Sequence, residues 1–394
     1  MADSPSDAPV VILGAGLAGW TTAREFRKLD SSTPLHLVSQ DSADFYAKPA
    51  LSNALGQKRT PAQLINTEAS AMAASLKLTL HARTTVHSLD SAAHSVRGSA
   101  SDKEFSLAYR RLVLATGAQP IRLPLGGSAA SALYSVNSLQ DFTAFYDALQ
   151  PQSGTKTVLL VGAGLIGCEF ANDLASAGHS VHVVDPSERA LAILPADASL
   201  MLQHALHMQG VHWHFGRTLQ SLDHAPGAGL TATLSDGTSI AVDAALSAVG
   251  LRPNTQLAAD AGIALGRGIR VNVALQTSAP DVYALGDCAQ YASAGDRPLP
   301  FVMPIMSAAK ALAATLAGQE TPLQFPLMPV TIKTPALPLV LLLPAPTVSG
   351  SWTAETVGVG GCWRFLDTQG VQRGFALAGS QTARRAELLR ACHA

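Results

Sequence analysis

The residues best placed to do chemistry in this chain are six glycines in two sets: Gly14, Gly16 and Gly19, then Gly162, Gly164 and Gly167. Each set is a G-x-G-x-x-G loop. The stretch VVILGAGLAG (residues 10–19) recurs 148 residues later as VLLVGAGLIG (158–167). In such a loop the first glycine permits a tight strand-to-helix turn, the second lets a pyrophosphate approach the backbone, and the third brings helix close to strand. The helix that follows offers unpaired N–H groups and a partial positive charge to the phosphates. With 32 glycines in 394 residues, one match is expected by chance about 0.2 times, so the recurrence carries the signal. Asp185 lies 23 residues beyond Gly162, where a carboxylate takes the ribose hydroxyls of NAD. A 2′-phosphate there would meet like charge, at about 1–4 kcal/mol per contact. NADH is therefore expected over NADPH, although Arg189 stands near enough to soften the penalty. The first loop has Ser39-Gln40-Asp41 at the matching place, so ribose recognition there falls to the Ser39 hydroxyl or to Asp41.

Such loops need elements to hold them. Each follows a short apolar strand and opens a helix-compatible segment, 20–29 and then 168–178. Further strands are read at 34–39 and 180–185, giving β-α-β twice. Between and after the units lie matching strands at 111–120 and 244–253, followed by turns rich in Pro and Gly. These read as the connections that insert the second unit into the first. Residues 302–316 read as a helix with Pro304 in its first turn. The expected fold is α/β: two Rossmann-like dinucleotide-binding domains, one inserted in the other, plus a small α+β C-terminal domain. The boundaries are 1–119 with 247–320 for the first domain, 120–246 for the second and 321–394 for the third.

Composition narrows the classes. The formal net charge of −1 points to neither nucleic acid nor an anionic membrane. The longest apolar run, 337–344, is proline-broken and far short of the ~20 residues that cross a bilayer. Residues 1–8 lack the basic start and apolar stretch of a signal peptide, so a cytoplasmic location is expected. The four cysteines, Cys168, Cys288, Cys362 and Cys392, form no C-x-x-C, and none precedes residue 168. A structural zinc, an iron–sulfur cluster and a redox-active cysteine pair are therefore not expected, and no metal site is assigned. His204, His207, His212 and His214 resemble a metal cluster at first reading. Residues 211–215 nevertheless alternate as a strand, with His212 and His214 on one solvated face. From residue 299 onward the chain carries seven Lys/Arg against four Asp/Glu, a mild bias toward an acidic partner.

Four further motifs accompany the glycine loops: YAKPALS (46–52), ATGA (115–118), TSAPDVYALGDCA (277–289) and PVTIKTP (329–335). With them the whole chain resembles the FAD-dependent pyridine nucleotide oxidoreductases, and within these the rubredoxin–NAD(+) and flavorubredoxin reductases. The resemblance implies that Gly14, Gly16, Leu17, Ala18 and Gly19 cradle the FAD pyrophosphate. Val86 would meet the adenine through its backbone, and Thr116 and Gly117 would lie in the FAD site. Asp287 would hold the ribityl chain, and the helix beginning at Val302 would point its N-terminus at the flavin pyrimidine ring. Lys48 and Glu169 are expected as a buried ion pair beside flavin N5, with Lys333 reaching the flavin from the other side. Gly162, Gly164, Gly167 and Asp185 would hold NADH. The implied activity is hydride transfer from NADH to FAD, then single-electron transfer to rubredoxin, a small acidic iron protein. A ferredoxin reductase, an NADH oxidase-type flavoenzyme and a non-catalytic FAD/NAD-binding sensor stay open beside it.

Overall fold

Apolar runs lacking polar alternation, such as Val10–Leu13 and Thr157–Val161, suit central parallel strands covered on both faces. The computed structural model describes residues 8–101, 103–149, 154–226, 229–357 and 360–393. They fall into two compact units. The first lies within Met1–Ala47, Ile65–Gln119 and Leu251–Pro326, and the second within Lys48–Leu64, Pro120–Gly250 and Leu327–Ala394.

At the centre of the first unit is a five-stranded parallel sheet. Its order is Val282–Ala284, Arg111–Leu114, Val10–Leu13, Leu35–Val38, Thr79–His81. Val10, Val11, Ile12, Leu112, Val113 and Leu114 are all fully buried. Helix Leu17–Leu29 leaves the first strand through the glycine loop, and helix Val302–Leu316 packs on it. The second helix has the bounds read from the sequence, with Phe301 as its N-cap.

The second unit repeats this plan: Leu133–Ser135, Ala244–Ser247, Thr157–Val161, Ser180–Asp185, Val211–Phe215, again all parallel. Registers correspond as well. Val10 faces Leu35 and Arg111, while Val158 faces Val181 and Ala244. Helix Leu165–Ser176 follows the second glycine loop. Both loop helices begin three residues earlier than the sequence reading placed them, because the helical turn starts within the loop itself.

C-terminal residues form a five-stranded antiparallel sheet, ordered Val330–Ile332, Leu339–Leu342, Gln372–Gly379, Gly360–Asp367, Gly350–Val357, with the short helix Arg385–Ala391. That is the α+β composition expected. By contacts this sheet groups with the second Rossmann repeat, and so does the segment Lys48–Leu64, whose chain neighbours on both sides lie in the first unit.

Candidate functional site: two glycine cradles and a buried polar cluster

In the first unit Gly14 has φ +112°, and a Cβ there would run into the Ala115 carbonyl. A Cβ on Gly19 would strike the Gly14 carbonyl oxygen, whereas one on Gly16 would meet nothing within 4 Å. The first and third glycines are therefore demanded by the turn, and the middle one faces open space. Gly16 caps helix Leu17–Leu29 with φ −74° and ψ −171°, and no side chain takes the capping position. An anionic group can approach such an end. Ala18 is buried beneath it. A Cβ on Gly286 would lie 2.9 Å from the Ala18 Cβ, which brings the turn carrying Asp287 beside the cradle helix. The fully buried Tyr291 supports that turn, its Oη accepting the Gly286 N–H at 2.7 Å.

Thr116 and Gly117 are held by a residue that sequence reasoning missed. Asn254 donates its side-chain amide to the Thr116 carbonyl at 2.8 Å and its own N–H to the Gly117 carbonyl at 2.9 Å. Thr116 Oγ1 returns a bond to the Asn254 carbonyl at 3.0 Å. Ser39 and Asp41, offered as alternatives for the ribose, are bonded to each other: Ser39 Oγ donates to Asp41 Oδ1 at 2.6 Å, and the Ala43 N–H reaches the same oxygen at 2.9 Å. Val86 lies in strand Thr84–Asp90 beside a bulge. Val302, 40% exposed, is the first residue of its helix, and Pro304 is buried in that first turn.

The second cradle has the geometry of the first. Gly162 has φ +107°, and its Cβ would lie 2.7 Å from the Ala248 oxygen. A Cβ on Gly167 would strike the Gly162 oxygen, and one on Gly164 again meets nothing within 4 Å. Gly164 caps its helix at φ −76° and ψ −168°, also without a side-chain cap. Even the backing bonds repeat: Gly14 N–H to Val38 O at 2.8 Å, Gly162 N–H to Val184 O at 2.9 Å. Asp185 stands at the expected strand end, and its carboxylate also braces the loop. Oδ2 accepts the Ala163 N–H and Oδ1 the Ser187 N–H, each at 2.7 Å. Arg189 turns back on its own loop, bonding the carbonyls of Ala192 and Leu194.

Beyond the second cradle lies a buried polar cluster. The Glu169 carboxylate is 5% exposed. Its Oε1 accepts the Lys333 backbone N–H at 2.9 Å, while Oε2 accepts Ser52 Oγ at 2.6 Å and the Lys333 ammonium. Lys333 Nζ also donates to Ser52 Oγ at 2.7 Å and to the Pro49 carbonyl at 2.6 Å. Sequence reading treated Lys333 apart from Glu169; within this unit they are an ion pair. Lys48, the partner read for Glu169, begins the 3-10 segment Lys48–Asn53 that contributes Pro49 and Ser52. Ser52 was missed as a site residue, although it ends the quoted motif four residues after Lys48.

The histidines behave otherwise than as a plain solvated face. His212 is exposed, but His214 is half-buried and lies 3.0 Å from His182, nitrogen to nitrogen. Burial and the neighbouring imidazoles push His182 down to about 4. Among the described residues no group of three His, Cys, Asp or Glu side chains could hold a metal ion. All four cysteines are unpaired and buried, and burial raises the pKa of each thiol. C-terminal cations are largely compensated: Arg364 and Arg384 share Glu355 and Glu387, and Arg373 pairs with Asp367. Part of the basic bias counted along the sequence is thus tied into an ion-pair network. No helix among the described residues is long and apolar enough to cross a membrane.

The sequence profile of the pyridine nucleotide-disulphide oxidoreductases matches residues 8–314, from the first cradle through most of helix Val302–Leu316. The chain belongs to that family. A second profile, the rubredoxin binding C-terminal domain, matches residues 322–392 of this oxidoreductase. Among its relatives is the rubredoxin-NAD(+) reductase of Acinetobacter baylyi, 40% identical over 96% of this chain and 95% of that one. The nitric oxide reductase FlRd-NAD(+) reductase of Aeromonas hydrophila is 38% identical over 98% of this chain and 97% of its own. The fold matches putidaredoxin reductase in its covalent complex with putidaredoxin, with a TM-score of 0.87 at 24% identity, covering 98% of this chain and 93% of that one. It also matches a ferredoxin reductase of Rhodopseudomonas palustris, at 0.86 and 23%, covering 96% and 92%. The oxidoreductase uses FAD and a nicotinamide nucleotide.

Proposed function

We propose that this flavoenzyme is a cytoplasmic NADH:rubredoxin oxidoreductase. The observation that carries the reading is the pair of cradles with matching backbone geometry, each with a middle glycine whose missing Cβ leaves room for a pyrophosphate. The C-terminal match to a rubredoxin binding domain and the reductase relatives support the choice of acceptor. In domain terms, residues 1–119 and 247–320 serve FAD, 120–246 serve NADH and 321–394 serve the acceptor.

When bound, FAD accepts a hydride from NADH and releases the electrons one at a time. The chain's own contribution is placement and charge. Gly14, Gly16 and Gly19, with the amides of Leu17 and Ala18, bind the FAD pyrophosphate at a helix N-terminus. Ser39, through its bond to Asp41, serves the ribose edge; Val86 offers backbone to the adenine, and Asp287 accepts hydroxyl bonds from the ribityl chain. Thr116 and Gly117, locked by Asn254, form a rigid part of the same site. The N-terminus of the Val302 helix favours negative charge on the pyrimidine side. Gly162, Gly164 and Gly167 bind the NADH pyrophosphate, and Asp185 takes its ribose hydroxyls with the lone pairs left after bracing the loop. Lys48, Glu169 and Lys333 provide charge along the helix that follows the NADH cradle. Glu169 carries its charge fully hydrogen-bonded, which is what makes a buried carboxylate tolerable.

The test is an anaerobic acceptor screen. NADH should bleach the yellow flavin band within seconds, and rubredoxin should restore it faster than ferredoxin or air. Faster turnover with a ferredoxin would favour the ferredoxin-reductase reading, and a colourless purified chain would end the flavoenzyme reading altogether.

A further inference from the structure

The helix that follows the second cradle carries Glu169, Asn172, Asp173 and Ser176, the spacing that lines one side of a helix. Three of these are almost wholly buried: Glu169 at 5%, Asn172 at 2% and Asp173 at 4% exposure. Each grips a segment distant in sequence. Asp173 Oδ2 accepts the Leu55 N–H at 3.0 Å, and Oδ1 accepts the Gly56 N–H at 2.8 Å. Asn172 Oδ1 accepts the Ala336 N–H at 3.0 Å, and Glu169 accepts the Lys333 N–H. Gly56 fits closely: a Cβ there would lie 3.0 Å from the Ser176 Cβ and 3.1 Å from Asp173 Oδ1. The helix is thus a spine to which two chain segments are tied through their backbones.

We infer that Asp173 is a positioning residue: by clasping the amides of Leu55 and Gly56 it sets the segment that carries Lys48 and Ser52, and through Ser52 the Glu169–Lys333 pair. The inference rests on the proposed role of Lys48, Glu169 and Lys333 in flavin reduction. A carboxylate is required because it alone offers an acceptor to both N–H groups. The isosteric amide would satisfy one and turn its own NH2 against the other. An ionised buried carboxylate is a poor choice for holding a loop merely in place, since desolvation offsets much of what its bonds contribute. Burial pushes the Asp173 carboxyl up to about 6, against the pull of the Gly56 and Leu55 amides and the Lys333 charge. A proton therefore competes for the clasping oxygens just below neutral pH. The charged group that bears on it is the Lys333 ammonium, and the Ala54 N–H adds to the pull of the other two amides.

Asp173→Asn in the FAD-loaded enzyme tests this through two readouts. Amide hydrogen exchange at Leu55 and Gly56 should rise about tenfold, while protection elsewhere in Leu165–Ser176 stays native. Stopped-flow reduction should show a limiting rate about tenfold lower, with NADH affinity within about twofold of the parent. The parent's limiting rate should fall as pH drops through about 6, and the variant's should stay flat. Should Asp173→Asn fail to fold, Gly56→Ala presses on the same carboxylate and is expected to lower the limiting rate in the same way. Unchanged exchange at the two amides, parallel pH profiles in parent and variant, or a Gly56→Ala enzyme with the parental limiting rate would overturn the inference. A parent that NADH does not reduce would instead sink the functional reading, leaving the exchange data to judge the clasp alone.

Discussion

The cradles allow binding to be separated from folding. At Gly164 the backbone sits at φ −76° and ψ −168°, which alanine adopts freely, and its methyl group would meet nothing within 4 Å. Gly164→Ala should therefore fold. Replacing a glycine N-cap by alanine costs about 0.5–1 kcal/mol, or about 1–3 °C in Tm for a chain this long. The same methyl occupies the space through which a pyrophosphate would reach the helix N-terminus, and holding the phosphate off loses charge-assisted bonds of about 1.5–3 kcal/mol each. Loss of one such bond corresponds to an NADH dissociation constant raised about tenfold to about 150-fold. NADH-dependent flavin reduction at varied NADH, with thermal unfolding in parallel, measures both quantities. Gly167→Ala is the matched contrast, because its Cβ would strike the Gly162 carbonyl and the backbone itself must shift. It should cost several kcal/mol and reduce soluble yield. NADH binding left intact in Gly164→Ala, or FAD retention lost as badly as NADH binding, would refute this account of the second cradle.

Three other outcomes follow from the same geometry. Asp185→Ala should narrow the preference for NADH over NADPH and, because the carboxylate also braces Ala163 and Ser187, raise the KM for both; an unchanged ratio of kcat/KM values would place Asp185 away from the ribose. Lys48→Ala should slow flavin reduction more than it weakens NADH binding, and a loss confined to binding would remove Lys48 from the reaction. Asn254→Ala frees the Thr116 carbonyl and should weaken FAD retention by about 1–2 kcal/mol, seen as faster loss of flavin on dialysis, with retention unchanged as the contrary result.

Much of this protein was determined locally. The turn at Gly14 and at Gly162 needs a positive φ and an absent Cβ, so the glycine loops announce their own conformation wherever they occur. Helix Val302–Leu316 and strand Ser180–Asp185 were legible to the residue, because a short apolar run with clear flanks leaves the backbone few alternatives. Two matching sheets followed from two matching motifs. The polar cluster is a different kind of information. Glu169 and Lys333 are 164 residues apart, and Ser52 lies 117 from Glu169, separations at which no spacing rule operates. Which lysine meets the carboxylate, and that Asp173 clasps Leu55 and Gly56, depend on the path of the segment Lys48–Leu64 as it joins the second unit. Asn254 was invisible for the same reason: a residue that works by bonding a distant backbone has no motif of its own. Local sterics wrote the cradles into the sequence, and only the folded chain, by satisfying buried hydrogen bonds across long separations, decided what surrounds them.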